Sequence, residues 1–230
     1  MSTMNKTFTY LSIVLLGYLP LQLQAQHKPY SKIILSATLS TQGAGADIKF
    51  SPTAEFGIRT GISILPFNWQ TVYTGRSKPT DLHLDADFAN THLMFDWHPF
   101  LGGYKLSEKI VVTAGGAYWW KDKGTATISY QGTYKYGDIE IDREDLGVLK
   151  GTVQWKKITP YLGFGFENVF PSHKFNLGFA IGTYYMGKPD AILTGTKMLA
   201  ANTSNSEQFE KNMSYYRFLP IVQINLNFSL

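Results

Sequence analysis

Runs of strict period-two alternation, aromatic residues gathered at both ends of those runs, and connections that alternate between short and long predict an all-β fold. The expected architecture is an eight-stranded antiparallel transmembrane β-barrel with short periplasmic turns and longer extracellular loops. Residues 26–230 would form that barrel as one domain, and residues 1–25 a signal peptide.

The clearest alternation is the last one. Over residues 215–230, Phe218, Pro220, Val222, Ile224, Leu226, Phe228 and Leu230 share one parity, while Gln223, Asn225, Asn227 and Ser229 share the other. Successive side chains of a strand point to opposite faces, so this strand has one apolar and one polar face. It is longer than the roughly 5–6 residues usual in soluble proteins and suits a tilted membrane-crossing strand of roughly 9–11. An amphipathic strand at the C-terminus also resembles the signal read by the barrel assembly machinery of the outer membrane, although that signal usually ends in an aromatic residue and here Leu230 stands last.

The other strands follow in order. Ile33, Leu35, Ala37 and Leu39 alternate with polar residues, and Ala44, Ala46, Ile48 and Phe50 oppose Asp47, Lys49 and Ser51. The apolar parity switches across residues 43–45, which a tight turn or a bulge would explain; a turn, the favoured reading, separates strands one and two there. After a short turn at 51–55, Phe56, Ile58, Thr60, Ile62 and Ile64 face away from Gly57, Arg59, Gly61 and Ser63 in strand three. Strand four, residues 81–97, has two phases, even for Leu82, Leu84, Ala86 and Phe88 and odd for Leu93, Phe95 and Trp97. A bulge near 88–90 would reconcile them. Strand five is expected over 109–120, a long polar connection over 121–150, strand six over 152–167 and strand seven from Phe175 to Tyr185. Residues 188–212 read as a polar loop with a helical turn or two. Trp69, Trp119, Trp120, Trp155, Tyr185 and Tyr216 fall at loop-side ends, and Phe50, Phe56, Trp97, Phe166, Phe175 and Phe228 at turn-side ends. Rings at two heights are the girdles of a membrane barrel.

Composition narrows the function. The 230 residues carry a formal charge of +4 with scattered basic residues, which gives no nucleic-acid footprint. The absence of cysteine excludes disulfides and thiol chemistry. Lys6 followed by an apolar run over 10–19 and by Leu23-Gln24-Ala25 is read as a signal peptide leaving Gln26 as the mature start. That run is too short for a spanning helix, so a membrane-resident chain has to be a closed barrel. His83, His92, His98 and His173 lack a nucleophile at same-face spacing, and no H-E-x-x-H, G-x-S-x-G or phosphate loop occurs. The expectation is no enzyme, no cofactor and no metal.

The inward list is Asp47, Lys49, Arg59, His92, Asp96, Gln223, Asn225 and Asn227. An eight-stranded barrel is only just wide enough to be filled by side chains, and opposite charges inside it should pair. The interior is therefore either a structural polar plug or a narrow path for a small basic or zwitterionic solute, with small amino acids as candidate partners beside outer-membrane lipid. Acids on the loop side, Asp85, Asp87, Asp142, Glu144 and Asp145, would attract a cation first. The rival readings are a surface protein working through its loops and a soluble periplasmic barrel with its apolar face inward.

Four blocks carry a resemblance. Gly45-Ala46-Asp47-Ile48-Lys49-Phe50-Ser51-Pro52, Asp96-Trp97-His98-Pro99-Phe100, Pro160-Tyr161-Leu162-Gly163-Phe164-Gly165-Phe166 and Gly182-Thr183-Tyr184-Tyr185-Met186-Gly187-Lys188-Pro189-Asp190 resemble a family of small Gram-negative outer-membrane barrels. That family includes the ornithine and basic amino-acid uptake channel linked to carbapenem susceptibility. The resemblance spans roughly residues 43–230 and implies an eight-stranded barrel and, in some members, slow passage of small amino acids. It carries over no functional-residue motif.

Overall fold

The structure is a computed structural model that describes residues 32–74, 79–104, 106–167 and 174–230, all within the compact unit Ser31–Leu230. The expected signal peptide lies outside the described residues.

In the first hairpin, β1 (Lys32–Ser40) and β2 (Gly43–Ser51) pair antiparallel with Ser40 opposite Gly43, so the turn is Thr41 and Gln42. A two-residue turn moves the outward parity from odd to even: Leu35 faces Ile48 and Leu39 faces Ala44. The turn falls just before the expected 43–45. Gly43 already belongs to β2, at a φ of 105° that a side chain rarely adopts, and a Cβ there would run into the Ile64 carbonyl.

β3 (Phe56–Tyr73) and β4 (Thr80–Trp97) pair without interruption from Phe56 opposite Trp97 to Tyr73 opposite Thr80. The expected bulge lies at Ala89 and Asn90, and the extra residue comes from the neighbouring strand β5 (Ile110–Tyr130). Ala89 pairs with Lys121 and Asn90 with Trp119, which leaves Trp120 unmatched. Trp119 keeps the inward parity of Val111, Thr113 and Ala117, while at the bulge Trp120 and Lys121 both face out, so that Asp122 is the next buried residue.

Two expectations are corrected here. Residues 121–150 are not one loop: β5 continues to Tyr130, followed by a small hairpin of β6 (Tyr134–Tyr136) and β7 (Ile139–Ile141) and the single turn α1 (Arg143–Leu146). The upper half of β5 is polar, but its backbone pairs with β4 on one side and with β8 (Val148–Gln154) on the other. Ladder hydrogen bonds therefore hold it without an apolar face. Strand six is also not continuous. It divides into β8 and β9 (Ile158–Phe166) around Trp155, Lys156 and Lys157. The cause is the same bulge, because β5 spends one residue more between Tyr118 and Lys123 than its neighbour spends between Ile158 and Gln154. Two bonds span the break, from Trp119 N–H to the Lys157 carbonyl at 2.7 Å and from Trp155 N–H to the Asp122 carbonyl at 3.2 Å.

β10 (Phe175–Tyr185) matches the expected strand seven. The polar stretch after it holds β11 (Asp190–Gly195), a 3-10 segment at Lys197–Asn205 and the helix α2 (Ser206–Met213), and β12 (Phe218–Ser229) ends the fold. The antiparallel ring runs β1, β2, β3, β4, β5, β9, β10, β12 and returns to β1, where Ser36 faces Asn227. β8 and β11 lie outside it. With the upper parts of β3, β4 and β5 they form a cap at the loop-side end.

The two faces of the ring are sorted opposite to a soluble protein. Ile33, Ile48, Ile62, Leu93, Phe164, Ile181 and Ile224 are exposed on the outside, whereas charged and amide side chains are buried inside. At the turn-side end Phe50, Phe56, Trp97 and Phe175 are exposed, and the Phe175 and Phe228 rings lie 5.1 Å apart. At the loop-side end Trp120, Tyr185 and Tyr216 are exposed. Trp69 stands beyond Ile64, the last residue of β3 paired with β2, and so belongs to the cap. Trp119 is corrected from the girdle to the interior, where its exposure is 0 %.

Candidate functional site: the interior of the ring

The alternation that sends Ile48 and Phe50 outward sends Asp47 and Lys49 inward on β2, and β3 and β4 do the same with Arg59, His92 and Asp96. The register brings these five together. Lys49 is opposite Arg59, Asp47 opposite Gly61, and Gly61 opposite His92. A Cβ at Gly61 would strike the Asp47 carboxylate, so the glycine leaves the space that the acid needs.

Asp96 is the hub. It accepts from Thr113 Oγ1 at 2.7 Å and from Arg59 at 3.3 Å, and its second oxygen lies 3.1 Å from Lys49 Nζ. Arg59 also reaches Asp47 at 3.5 Å, and His92 bridges Asp47 at 3.0 Å and Asn90 at 3.2 Å. Asn90 donates to Gln42 at 3.3 Å, which carries the network to the first turn. At the turn-side mouth Lys49 meets both oxygens of Glu167, at 2.7 and 2.8 Å, and His98 lies 3.2 Å from the same carboxylate. Glu167 stands just past β9. Burial pushes its carboxyl up, but Lys49 and the His98 hydrogen bond more than offset this and hold it well below the usual carboxylate range.

The remaining inward residues lie on β12. Gln223 donates to Asn225 at 2.6 Å, and Ser36 donates to Asn227 at 2.7 Å. All eight residues singled out in the sequence are buried within the ring. Five form the ionic network, and the three amides form a second polar strip beside it.

Sequence reasoning missed an aromatic layer above the ions. Trp119, Tyr161 and Tyr184 are buried together, with Tyr184 centred 5.5 Å from Trp119 and 4.8 Å from Tyr161. Phe88 continues the cluster edge-to-face, 5.9 Å from Trp119, and Met94, Met186 and Ile221 pack around it. Trp119 Nε1 donates to Thr159 Oγ1 at 2.8 Å. Tyr161 and Tyr184 stand on the inward parity of their strands, which was the available signal. Trp119 offered the same signal, on the odd parity of Val111, Thr113 and Ala117. Glu167 closes the expected strand six on the same inward parity as Tyr161, Gly163 and Gly165, so its signal too was present and was not read.

Ions and rings together fill the interior. The space left among Gln42, Arg59, His92, Met94, Tyr161, Ala180, Tyr184 and Gln223 is about 10 Å³, at the threshold for one water molecule.

No protein-family model and no curated protein matches the sequence. Among solved structures, the chain is similar to Acinetobacter baumannii CarO2, with a TM-score of 0.61 and 19% identity over 89% of this chain and 100% of that one. It is similar also to Acinetobacter baumannii CarO, with a TM-score of 0.58 and 20% identity over 89% of this chain and 99% of that one. The resemblance seen in the sequence blocks is thus found in the fold.

Proposed function

We propose that the chain is a bacterial outer-membrane β-barrel whose lumen is locked shut at rest by the ionic network and the aromatic layer. One observation carries the membrane reading: a closed ring with apolar residues outside, charges inside and aromatic rings exposed at both ends. A ring has no open edges to leave unpaired in lipid, and the fold likeness to the two Acinetobacter proteins supports the same reading. The residual space of about 10 Å³ supports the lock.

A second reading is favoured by the chemistry of the lock. Its parts are an ammonium, a guanidinium and carboxylates. A basic or zwitterionic amino acid carries the same groups and could exchange with them pair by pair, which would make the ring a slow, narrow channel. Single-channel conductance of the refolded chain in a planar bilayer separates the two, with ornithine, arginine and a neutral sugar compared. A silent but folded barrel is the expected result for a lock. Small steps perturbed by the basic amino acids and altered in Arg59→Ala would establish the channel instead.

A further inference from the structure

Cationic side chains converge at the loop-side rim, where β9, β10 and β12 end. The Met186 N–H donates to the Arg217 carbonyl at 2.7 Å, which brings Lys188 beside Arg217. Lys156, from the break between β8 and β9, lies over Gly187, where a Cβ would stand 3.6 Å from its Nζ. α2 adds Lys211, and an open recess of about 440 Å³ is lined by Lys188, Glu207, Glu210, Lys211, Ser214 and Arg217. Lys188 is paired with Glu210 at 2.6 Å. Among the described residues no carboxylate pairs with Lys156, Lys211 or Arg217; the recess sets Lys188, Lys211 and Arg217 against Glu207 and Glu210, with Lys156 beside it over Gly187. β4, which does not border this part of the rim, differs: there Asp87 holds Lys121 at 2.9 Å and Asp85 meets His83 and Asn68.

Apolar surface lies directly beneath the cations. The exposed rings of Tyr185 and Phe218 are 5.3 Å apart on the outer face, and Trp155 Nε1 donates to the Tyr216 carbonyl at 2.9 Å. Cations above an aromatic belt form the arrangement that holds an anionic headgroup while its chains lie along the wall below. The recess is large enough for a phosphate and the sugar that bears it, and ammonium and guanidinium groups without a carboxylate partner, such as Lys211 and Arg217, whose Nε donates only to the Ser214 carbonyl at 2.8 Å, are phosphate donors.

We propose that this recess binds the phosphate of a phosphorylated glycolipid in the loop-side leaflet, with Lys156, Lys188, Lys211 and Arg217 as its donors and Tyr185 and Phe218 against its acyl chains. The proposal rests on the outer-membrane reading, and the experiment keeps the two apart. The refolded chain is first inserted into vesicles and checked by heat-modifiable migration and protease protection; failure there overturns the membrane reading and this site with it. Inserted protein is then titrated with diphosphorylated lipid A and with its dephosphorylated form, and retained lipid is measured by native mass spectrometry. The expected result is tight retention of the phosphorylated form alone, with a loss on the order of a hundredfold in Lys156→Ala/Lys211→Ala/Arg217→Ala and none in Lys121→Ala. Equal retention of both lipids, or no change in the triple variant, would overturn the site. Competition by millimolar inorganic phosphate at the same residues would also overturn it, since the ligand would then be a free anion.

Discussion

Asp96 satisfies a lysine, an arginine and a threonine at once, with an exposure of 1 %. A buried ion pair adds little over a well-packed apolar replacement, but removing one partner leaves the others charged and dry. Asp96→Asn keeps the shape and the Thr113 bond while removing the charge that Lys49 and Arg59 share. Lys49 retains Glu167 and Arg59 retains Asp47, so the loss should fall at or below the roughly 3–5 kcal/mol seen when a buried pair is broken. Urea titration of the chain folded into phospholipid vesicles measures it, and a change under about 1 kcal/mol would mean that water reaches this layer. The inward acids and bases were legible because alternation alone assigns a face. The aromatic layer was not, because a large ring on the inward parity looks like any other aromatic at a strand end. Trp119 likewise continues the odd inward parity of Val111, Thr113 and Ala117, and the bulge reverses that parity only beyond it, at Trp120 and Lys121.

At the level of the elements, alternation identifies β1, β2, β3, β10 and β12, where one face meets apolar surroundings and the other the packed interior. It fails where a strand leaves the ring. The upper half of β5 is held by two neighbours and faces apolar surroundings on neither side, so its sequence reads as loop. The division of strand six into β8 and β9 follows from a bulge in the adjacent strand, and nothing in its own residues announces it. β12 offers the sharpest test of orientation. Ile224 is 52 % exposed on the outer face, opposite Leu39 on β1 and Phe179 on β10. If that face meets lipid, Ile224→Arg should cost roughly 2–4 kcal/mol near mid-depth and prevent insertion, while the neighbouring Gln223→Ala should insert normally. Protease protection after refolding into vesicles distinguishes them. Normal insertion of Ile224→Arg would reverse the assignment of faces.

As a whole, the molecule is a closed ring with a cap, and the two differ in what holds them. Every ring strand is paired on both sides, and β12 closes the circuit on β1. β11 pairs only with β8 in the cap, and α2 packs beside it, with Phe209 against Gly151. The hydrogen bond from Met186 to Arg217 shows that the cap segment leaves and re-enters the ring at adjacent points, one residue past the pairing of Tyr185 with Phe218. A short turn can therefore replace residues 188–215 without stretching either strand. Loop length contributes little to closure entropy, since each doubling costs only about 0.6 kcal/mol. The shortened chain should then fold with unchanged heat-modifiable migration and protease protection of the ring. By contrast, deleting residues 218–230 opens edges on β1 and β10 and should abolish insertion, because lipid offers no partner for exposed backbone groups. If the shortened chain also failed to insert, the cap would be part of the ring's folding unit, and the division drawn from the pairing would be wrong.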